Sequence, residues 1–383
     1  MNLHLLPADN KLFIPKFIEI AKSQPFVQTN LLLCYVCELD ISGSALQFAS
    51  PDLVINTIRR KGVNRVIFHS LQPQAFSLVK TIKETAPECR IDWVYWGESY
   101  DNSSSLMGEQ TIIEYIRERG VPSLLSFLAV KIKLAHSLID YRTSGFRSMA
   151  SEIIKYIDTF YHWSQIDYEH IKRIFRHSQL KYQMFFYEIF NSQILDNHII
   201  ERKLDCMASD CIVVGHSVSM RNNHLDILPV VSEFAIENNK TIVCPLSYGS
   251  ANKKYVQIIE KNLKRFPKLS YRIMSKFYPE TEYFAFLLKC GMYIAPGRGS
   301  LGAGNMISYS MAGRIPITDY KNTVGLFLKS IGAEVLLYKN YKEIKTFLQN
   351  YFGGYCEKNI AVLKEYFSSA NKQKCYENLL SPI

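Results

Sequence analysis

A chain of 383 residues that is 48% hydrophobic and 13% aromatic carries enough apolar side chain for packed cores. At roughly 100–200 residues per domain two domains, or at most three, are expected, and nothing in its composition suits a disordered, collagen-like or coiled-coil chain. A formal charge of +10 favours an anionic partner. The basic clusters at Arg59–Lys61, Lys172–Arg176 and Lys261–Lys268 accompany no standard nucleic-acid motif, so no nucleic acid is expected.

In chain order, Met1–Leu6 reads as a strand, with Asp9 placed to cap a helix running to Ile20. Strands are expected at Leu31–Cys37, Val63–Phe68 and Ile91–Trp96, with helices at Pro51–Arg60 and Pro73–Glu84 between them. Pro122–Tyr141 is strongly apolar with Lys131 and Lys133 embedded. It reads as a buried core helix, the alternative being a helix lying on a membrane surface. Tyr156–His162 and Tyr182–Tyr187 are further strands. The alternation restarts after residue 200. Strands are expected at Cys211–Val214, Lys240–Cys244, Ser270–Met274, Gly291–Ala295, Ile315–Thr318 and Glu334–Leu337. Helices are expected at Leu225–Glu237, Asn252–Lys264, Thr281–Lys289, Asn305–Met311 and Ile360–Leu380.

This order predicts an α/β protein of two doubly wound parallel sheets facing a central cleft, with a domain boundary near residues 198–208. Nine cysteines, many in apolar strand-like runs, read as reduced and buried in a cytoplasmic protein, and the spacing of Cys34 and Cys37 suits neither zinc nor redox chemistry. No signal peptide and no run of about 18 apolar residues is present, so no membrane-spanning helix is expected.

The strongest local signal is Pro296–Asn305, sequence PGRGSLGAGN. It follows a strand and opens a helix. Glycines let backbone approach an anion closely, and the unpaired amides of a helix N-terminus bind phosphate. Arg298, Gly302, Gly304 and Asn305 are therefore candidates for holding a diphosphate. The loop Gly215–His224 is a second strand-to-helix junction, where Ser217, Arg221, Asn222 and His224 offer donors to phosphate or sugar. Tyr248 ends the next strand and is a candidate for the nucleotide pocket. In the first domain His69 and Glu98 are of the type that takes a proton from an acceptor hydroxyl. No Asp-x-Asp pair occurs, so neither a metal nor a cofactor is expected, and the leaving diphosphate is expected to meet amide dipoles and basic side chains.

Taken together, these residues resemble the TDP-N-acetylfucosamine:lipid II N-acetylfucosaminyltransferases, glycosyltransferase family 56. His4, Leu6 and Asp9 match the family's opening strand and loop, Phe68-His69 its Phe-His pair and Trp96-Gly97 its Trp-Gly pair. Gly215, Ser217, Asn222 and His224 match its second loop, Pro245 and Tyr248 the next strand end, and Gly302 and Gly304 its Gly-x-Gly turn. Ala312-Gly313, Pro316 and Asn371 follow in register. Glu98-Ser99, Val218 and the shifted Arg221 depart from the pattern, and residues 105–150 have no counterpart in it.

The resemblance implies a GT-B fold: residues 1–203 an acceptor-binding Rossmann-like domain, 204–350 a nucleotide-sugar-binding one, and 351–383 helical and crossing back. It implies metal independence and transfer of a 4-acetamido-4,6-dideoxyhexose from a TDP-sugar donor. The acceptor is an undecaprenyl-diphosphate-linked saccharide of O-antigen or common-antigen synthesis, reached from the cytoplasmic face of the inner membrane by a peripherally bound enzyme. His4, Asp9 and Trp96 fall on its acceptor side. The alternatives are a GT-B enzyme using a UDP- or GDP-sugar, and a non-catalytic nucleotide-sugar-binding module.

Overall fold

The computed structural model describes residues 1–7, 13–23, 27–35, 47–48, 50–97, 100–101, 103–177, 179–187, 210–248 and 252–382. They form two compact units. The first is Met1–Tyr100 with Ser144–Ile189 and Phe367–Ile383, and the second is Asp101–Thr143 with Phe190–Tyr366. The chain thus leaves the first unit after Tyr100 and returns to it at Ser144, which puts residues 101–143, read from sequence as part of the first domain, in the second unit. Residues 198–208 lie outside the described residues.

The first unit is built on a seven-stranded parallel sheet of order β3-β2-β1-β4-β5-β6-β7. Its strands are β1 Asn2–Pro7, β2 Asn30–Tyr35, β3 Gln47–Phe48, β4 Arg65–His69, β5 Arg90–Val94, β6 Thr159–His162 and β7 Lys181–Met184. Every residue of β1, β4 and β6 is buried, as expected when helices cover both faces of a parallel sheet. Leu3, Leu5, Val66, Phe68, Trp93 and Phe160 belong to one core. Helix Pro51–Lys61 shows how sequence punctuates the layers. Ser50 Oγ accepts the Leu53 amide, proline opens the first turn, and Gly62 closes it at φ 61°.

The second unit carries a six-stranded parallel sheet of order β10-β9-β8-β11-β12-β13. The strands are β8 Cys211–Val214, β9 Thr241–Pro245, β10 Ser270–Met274, β11 Met292–Ala295, β12 Ile317–Asp319 and β13 Leu336–Tyr338. In both sheets the order reverses beside the first strand, between β1 and β4 and between β8 and β11. Open α/β sheets bind ligands at this switch point, outside the carboxyl ends of the strands.

Three helices differ from the sequence reading. Pro122–Tyr141 is not one buried helix. It is Ser123–Lys131, followed after Lys133 at φ 57° by Leu134–Ile154. Ile360–Leu380 is two helices, Glu357–Tyr366 and Ser369–Leu380, because Ser368 caps the second by accepting the Asn371 amide. Asn305 does not open its helix. The helix starts at Ala303, with Gly302 as its N-cap. The final helix belongs to the first unit and Glu357–Tyr366 to the second.

Candidate functional site

In the second unit the carboxyl ends of β8 and β11 carry the two loops singled out in the sequence. β8 runs into Gly215, at φ 73°, where a Cβ would stand 2.3 Å from His224 Nε2. Only glycine lets the loop curl back so that the His224 ring covers the strand end. The loop is tied internally. Asn222 Nδ2 donates to Ser217 Oγ at 2.8 Å and to Ser217 O at 3.2 Å, and Ser219 Oγ accepts the Arg221 amide. Ser217, Asn222 and His224 are buried. Burial lowers the His224 ring to about 3, and His224 Nδ1 faces the Tyr255 hydroxyl at 3.3 Å. These three residues shape the loop, and their side chains are turned into the protein.

After β11 the chain turns through Pro296–Leu301. Asn322 fastens this turn, donating from Nδ2 to Gly297 O at 2.7 Å and to Leu301 O at 3.1 Å, while its Oδ1 accepts the Gly325 amide. Backbone bonds from Gly299 N to Lys321 O and from Thr323 N to Gly299 O complete the clamp. Arg298 points away from the glycines. Its Nε lies 3.0 Å from Asp319 Oδ2, and its Nη1 donates to Met107 O at 2.8 Å and Ser105 O at 3.4 Å. Gly302 has φ 78°, and a Cβ there would lie 3.2 Å from the Tyr293 hydroxyl and 3.4 Å from His216 Nδ1. Around Gly304 nothing stands within 4 Å of an added Cβ. The first amides of the helix, at 303–305, have no acceptor within the helix and share its positive dipole end. Asn305 Nδ2 donates to Tyr283 Oη at 2.5 Å.

The sequence reading passed over His216. It precedes Ser217 in the β8 loop and approaches the N-cap of the helix after β11, so it joins the two loops. Burial, then the Arg221 charge, lowers its ring to about 4, so it is neutral at physiological pH. Asn322 was missed as well, since it lies beyond the glycine-rich run and acts on it from the turn after β12. Asp319 is legible in the sequence as an informative strand end, but its bond to Arg298 is not. Tyr248 follows β9, 62% exposed, with its carbonyl accepting the Val218 amide of the β8 loop.

Residues 101–143 are held to this unit by buried polar contacts. Asn223, at φ 52°, donates to Leu106 O at 3.0 Å and Pro296 O at 3.2 Å and accepts the Gly108 amide at 2.9 Å. Asp226 accepts the Gln110 and Thr111 amides at 2.9 and 3.1 Å and the Thr111 hydroxyl, so a buried carboxylate sits on the N-terminus of helix Glu109–Arg117. Burial still raises its pKa above the ordinary carboxyl value.

In the first unit, His4 on β1 and His69 at the end of β4 are both fully buried. His4 Nε2 lies 2.8 Å from Asn30 Oδ1, His4 Nδ1 lies 3.0 Å from His69 Nε2, and His69 Nδ1 lies 2.5 Å from the Tyr187 hydroxyl. Asn30 is oriented by its Nδ2, which donates to Leu380 O at 2.9 Å, so its Oδ1 is the acceptor. His4 therefore carries its proton on Nε2 and accepts at Nδ1 from His69 Nε2–H. His69 Nδ1 accepts from Tyr187 O–H, whose oxygen in turn accepts Trp96 Nε1–H at 2.9 Å. Every donor has one acceptor, and both rings are neutral. Burial lowers His4 to about 3 and His69 well below 6.5, and the Arg65 charge adds to both. Phe17 packs 4.5 Å from the His69 ring. Trp96, half-buried, is the outermost member of this chain. Asp9 and Glu98 lie outside the described residues.

Comparison with known proteins gives three kinds of result. The sequence family described as 4-alpha-L-fucosyltransferase glycosyl transferase group 56 matches residues 150–334. No curated protein matches the chain. Among solved structures, a glycosyltransferase from Rickettsia africae superposes with a TM-score of 0.61 at 10% identity, over 100% of this chain and 99% of that one. HepE of Anabaena in complex with UDP-glucose gives 0.59 at 8% identity over 100% of both chains. The UDP-forming alpha,alpha-trehalose-phosphate synthase of Burkholderia vietnamiensis gives 0.60 at 9%, over 100% and 99%. At such identities the likeness is one of fold. Residues 150–334 thus match the group 56 sequence family, each of the two units is built on a Rossmann-like parallel sheet as in the GT-B fold, and the chain is a glycosyltransferase.

Proposed function

We propose that the chain transfers a 4-acetamido-4,6-dideoxyhexose from a TDP-linked donor to an undecaprenyl-diphosphate-linked saccharide of O-antigen, common-antigen or related polysaccharide assembly, as a peripheral enzyme on the cytoplasmic face of the inner membrane. The carrying observation is the glycine-rich turn at the β8/β11 switch point, whose helix amides at 303–305 open beside an unobstructed Gly304. The group 56 match, which spans that turn, supports the sugar class.

In this reading the second unit takes the donor. Gly302, Gly304 and the amides of 303–305 hold the diphosphate, Gly215, Ser217, Asn222 and His224 shape the neighbouring wall, Arg221 adds positive charge, and Tyr248 lines the base. Asn305 supplies its backbone amide, its side chain being bonded to Tyr283. Arg298 acts through Asp319, holding the turn in place. As transfer proceeds, the bond from the anomeric carbon to the diphosphate oxygen breaks and that oxygen gains negative charge. Amide dipoles already aimed at it stabilise the change without reorganising. The acceptor hydroxyl oxygen bonds to the anomeric carbon and gives up its proton to a base, for which Glu98 is the candidate. His69 acts on the acceptor side through Tyr187 and Trp96, with His4 behind it, and the family resemblance assigns Asp9 to the acceptor side as well.

A second reading, a UDP-sugar donor, is favoured by the complex of HepE with UDP-glucose. Thermal unfolding with TDP, UDP and GDP separates the two, because the true ligand stabilises the folded state. A rise with TDP that UDP and GDP do not match is expected. Equal or larger rises with UDP would transfer the proposal to that nucleotide, and no response to any would remove it.

A further inference from the structure

We propose that the outward face of Leu124, Leu125, Phe127, Leu128, Ile132 and Leu134 docks on a bilayer containing anionic phospholipid. The proposal deepens the reading of a lipid-linked acceptor by naming the surface that meets the membrane, and it rests on that reading.

Helix Ser123–Lys131 has its polarity inverted. Ser126 is fully buried, with its hydroxyl on Val121 O at 3.1 Å, and Val130 is buried beside Ile112, Ile116, Ala135 and Ile139 in a small core of its own. The side turned to solvent is apolar. Leu124 is 70% exposed, Leu125 55%, and Phe127 and Leu128 47% each. A surface helix of a water-facing protein places its polar residues there. Lys133, at φ 57°, ends the helical run, and Ile132 and Leu134 continue the same exposed apolar stretch.

The charges carried by the segment itself are of one sign. From Arg119 to Ile139 the sequence holds Arg119, Lys131 and Lys133 and no Asp or Glu. Lys131 and Lys133 rise among the leucines, where their stems can run along apolar surface while the ammonium groups reach headgroup phosphates. Lys131 Nζ lies 3.2 Å from Glu109 Oε2, a pair exposed on both sides and therefore weak in water. A second copy of the chain fits less well, because a two-fold contact across this face would set these lysines against their own counterparts.

The test is sedimentation of the full chain with phosphatidylcholine vesicles, with and without phosphatidylglycerol, and TDP binding followed on the same samples. Binding to phosphatidylglycerol vesicles that weakens with added salt is expected. Leu124→Asp with Leu128→Asp should lower it about tenfold or more while leaving Tm and TDP binding unchanged. Lys131→Gln with Lys133→Gln should weaken binding to the anionic vesicles and flatten its salt dependence. Absence of vesicle binding by the wild type, or full binding by the leucine variant, would overturn the proposal. So would a concentration-dependent dimer in lipid-free buffer that the leucine variant abolishes, which would assign the face to a second copy. Loss of TDP binding with vesicle binding intact would count against the donor assignment and leave this surface standing.

Discussion

His4 and His69 share one proton-mediated contact, 3.0 Å from Nδ1 of the first to Nε2 of the second, and neither ring is exposed. Protonating His4 would set two donors against each other at that contact, protonating His69 would add a second donor against the Tyr187 hydroxyl, and either would put a charge beside Arg65. The folded first unit therefore excludes protons that its unfolded chain accepts.

That difference makes stability depend on pH in a fixed direction. An exposed histidine titrates near 6.5, and the folded value of His4 is about 3. The stabilisation is complete above 6.5 and is lost as pH falls from there toward 3, by up to about 1.4 kcal/mol per pH unit for each buried histidine. His216 and His224, lowered to about 4 and about 3, add the same dependence to the second unit. Tm measured from neutral pH down to about pH 5 should fall steadily, and His4→Gln should flatten the decline. A Tm unaffected by pH over that range would contradict the buried neutral network.

Tyr187→Phe keeps the ring and removes the hydroxyl that joins His69 to Trp96. One buried acceptor and one donor lose their partner, at a cost of about 1–3 kcal/mol. If His69 acts on the acceptor through this hydroxyl, kcat should fall by roughly 10–100-fold with the donor KM unchanged. Steady-state kinetics beside a melting curve checks both, and a Tm loss with full turnover would leave the network a purely structural role.

Gly304→Ala separates folding from ligand approach. The added methyl meets nothing within 4 Å, and in the first turn of a helix alanine is favoured over glycine by up to about 1 kcal/mol. Tm should hold or rise. Donor affinity should drop if a diphosphate lies against that backbone, and calorimetric titration with TDP reads it. Gly302→Ala should differ, losing stability as well, because its φ of 78° is strained for any side chain.

Asp226→Ala removes the acceptor of two amides and a hydroxyl at the start of helix Glu109–Arg117. The groups left behind are buried or half-buried, and a loss of about 2–4 kcal/mol is expected. Limited proteolysis should then cut between residues 101 and 143 well before the rest of the second unit. Resistance equal to wild type would show that the small core around Ile112 and Val130 suffices to hold the segment.

Much of this arrangement is legible in the sequence, because apolar strand runs and the glycines after them are local signals. Gly215 and Gly302 could be singled out because positive φ at a strand-to-helix junction leaves few other residues. Arg298 shows where such reading stops. A cation in a glycine-rich turn suggests an anionic ligand, yet its carboxylate partner Asp319 comes from a different strand, and sequence spacing carries no sign of that. The same holds for Asn322, which fastens the turn from outside it. The apolar run around Leu124 fails for another reason. A helix with leucines on nearly every side has no preferred face, so periodicity could not say which residues would be left in solvent.

The last helix of the chain closes the sheet made first. Leu380 O accepts from Asn2 and Asn30, and Leu379 O accepts from Arg65, across separations of up to 378 residues. During synthesis on the ribosome these donors exist long before their acceptors. The amino-terminal ends of β1, β2 and β4 must wait for these partners while the whole second unit is translated. Such long-range closure slows folding, and it leaves the first unit without these bonds until residues 369–380 emerge.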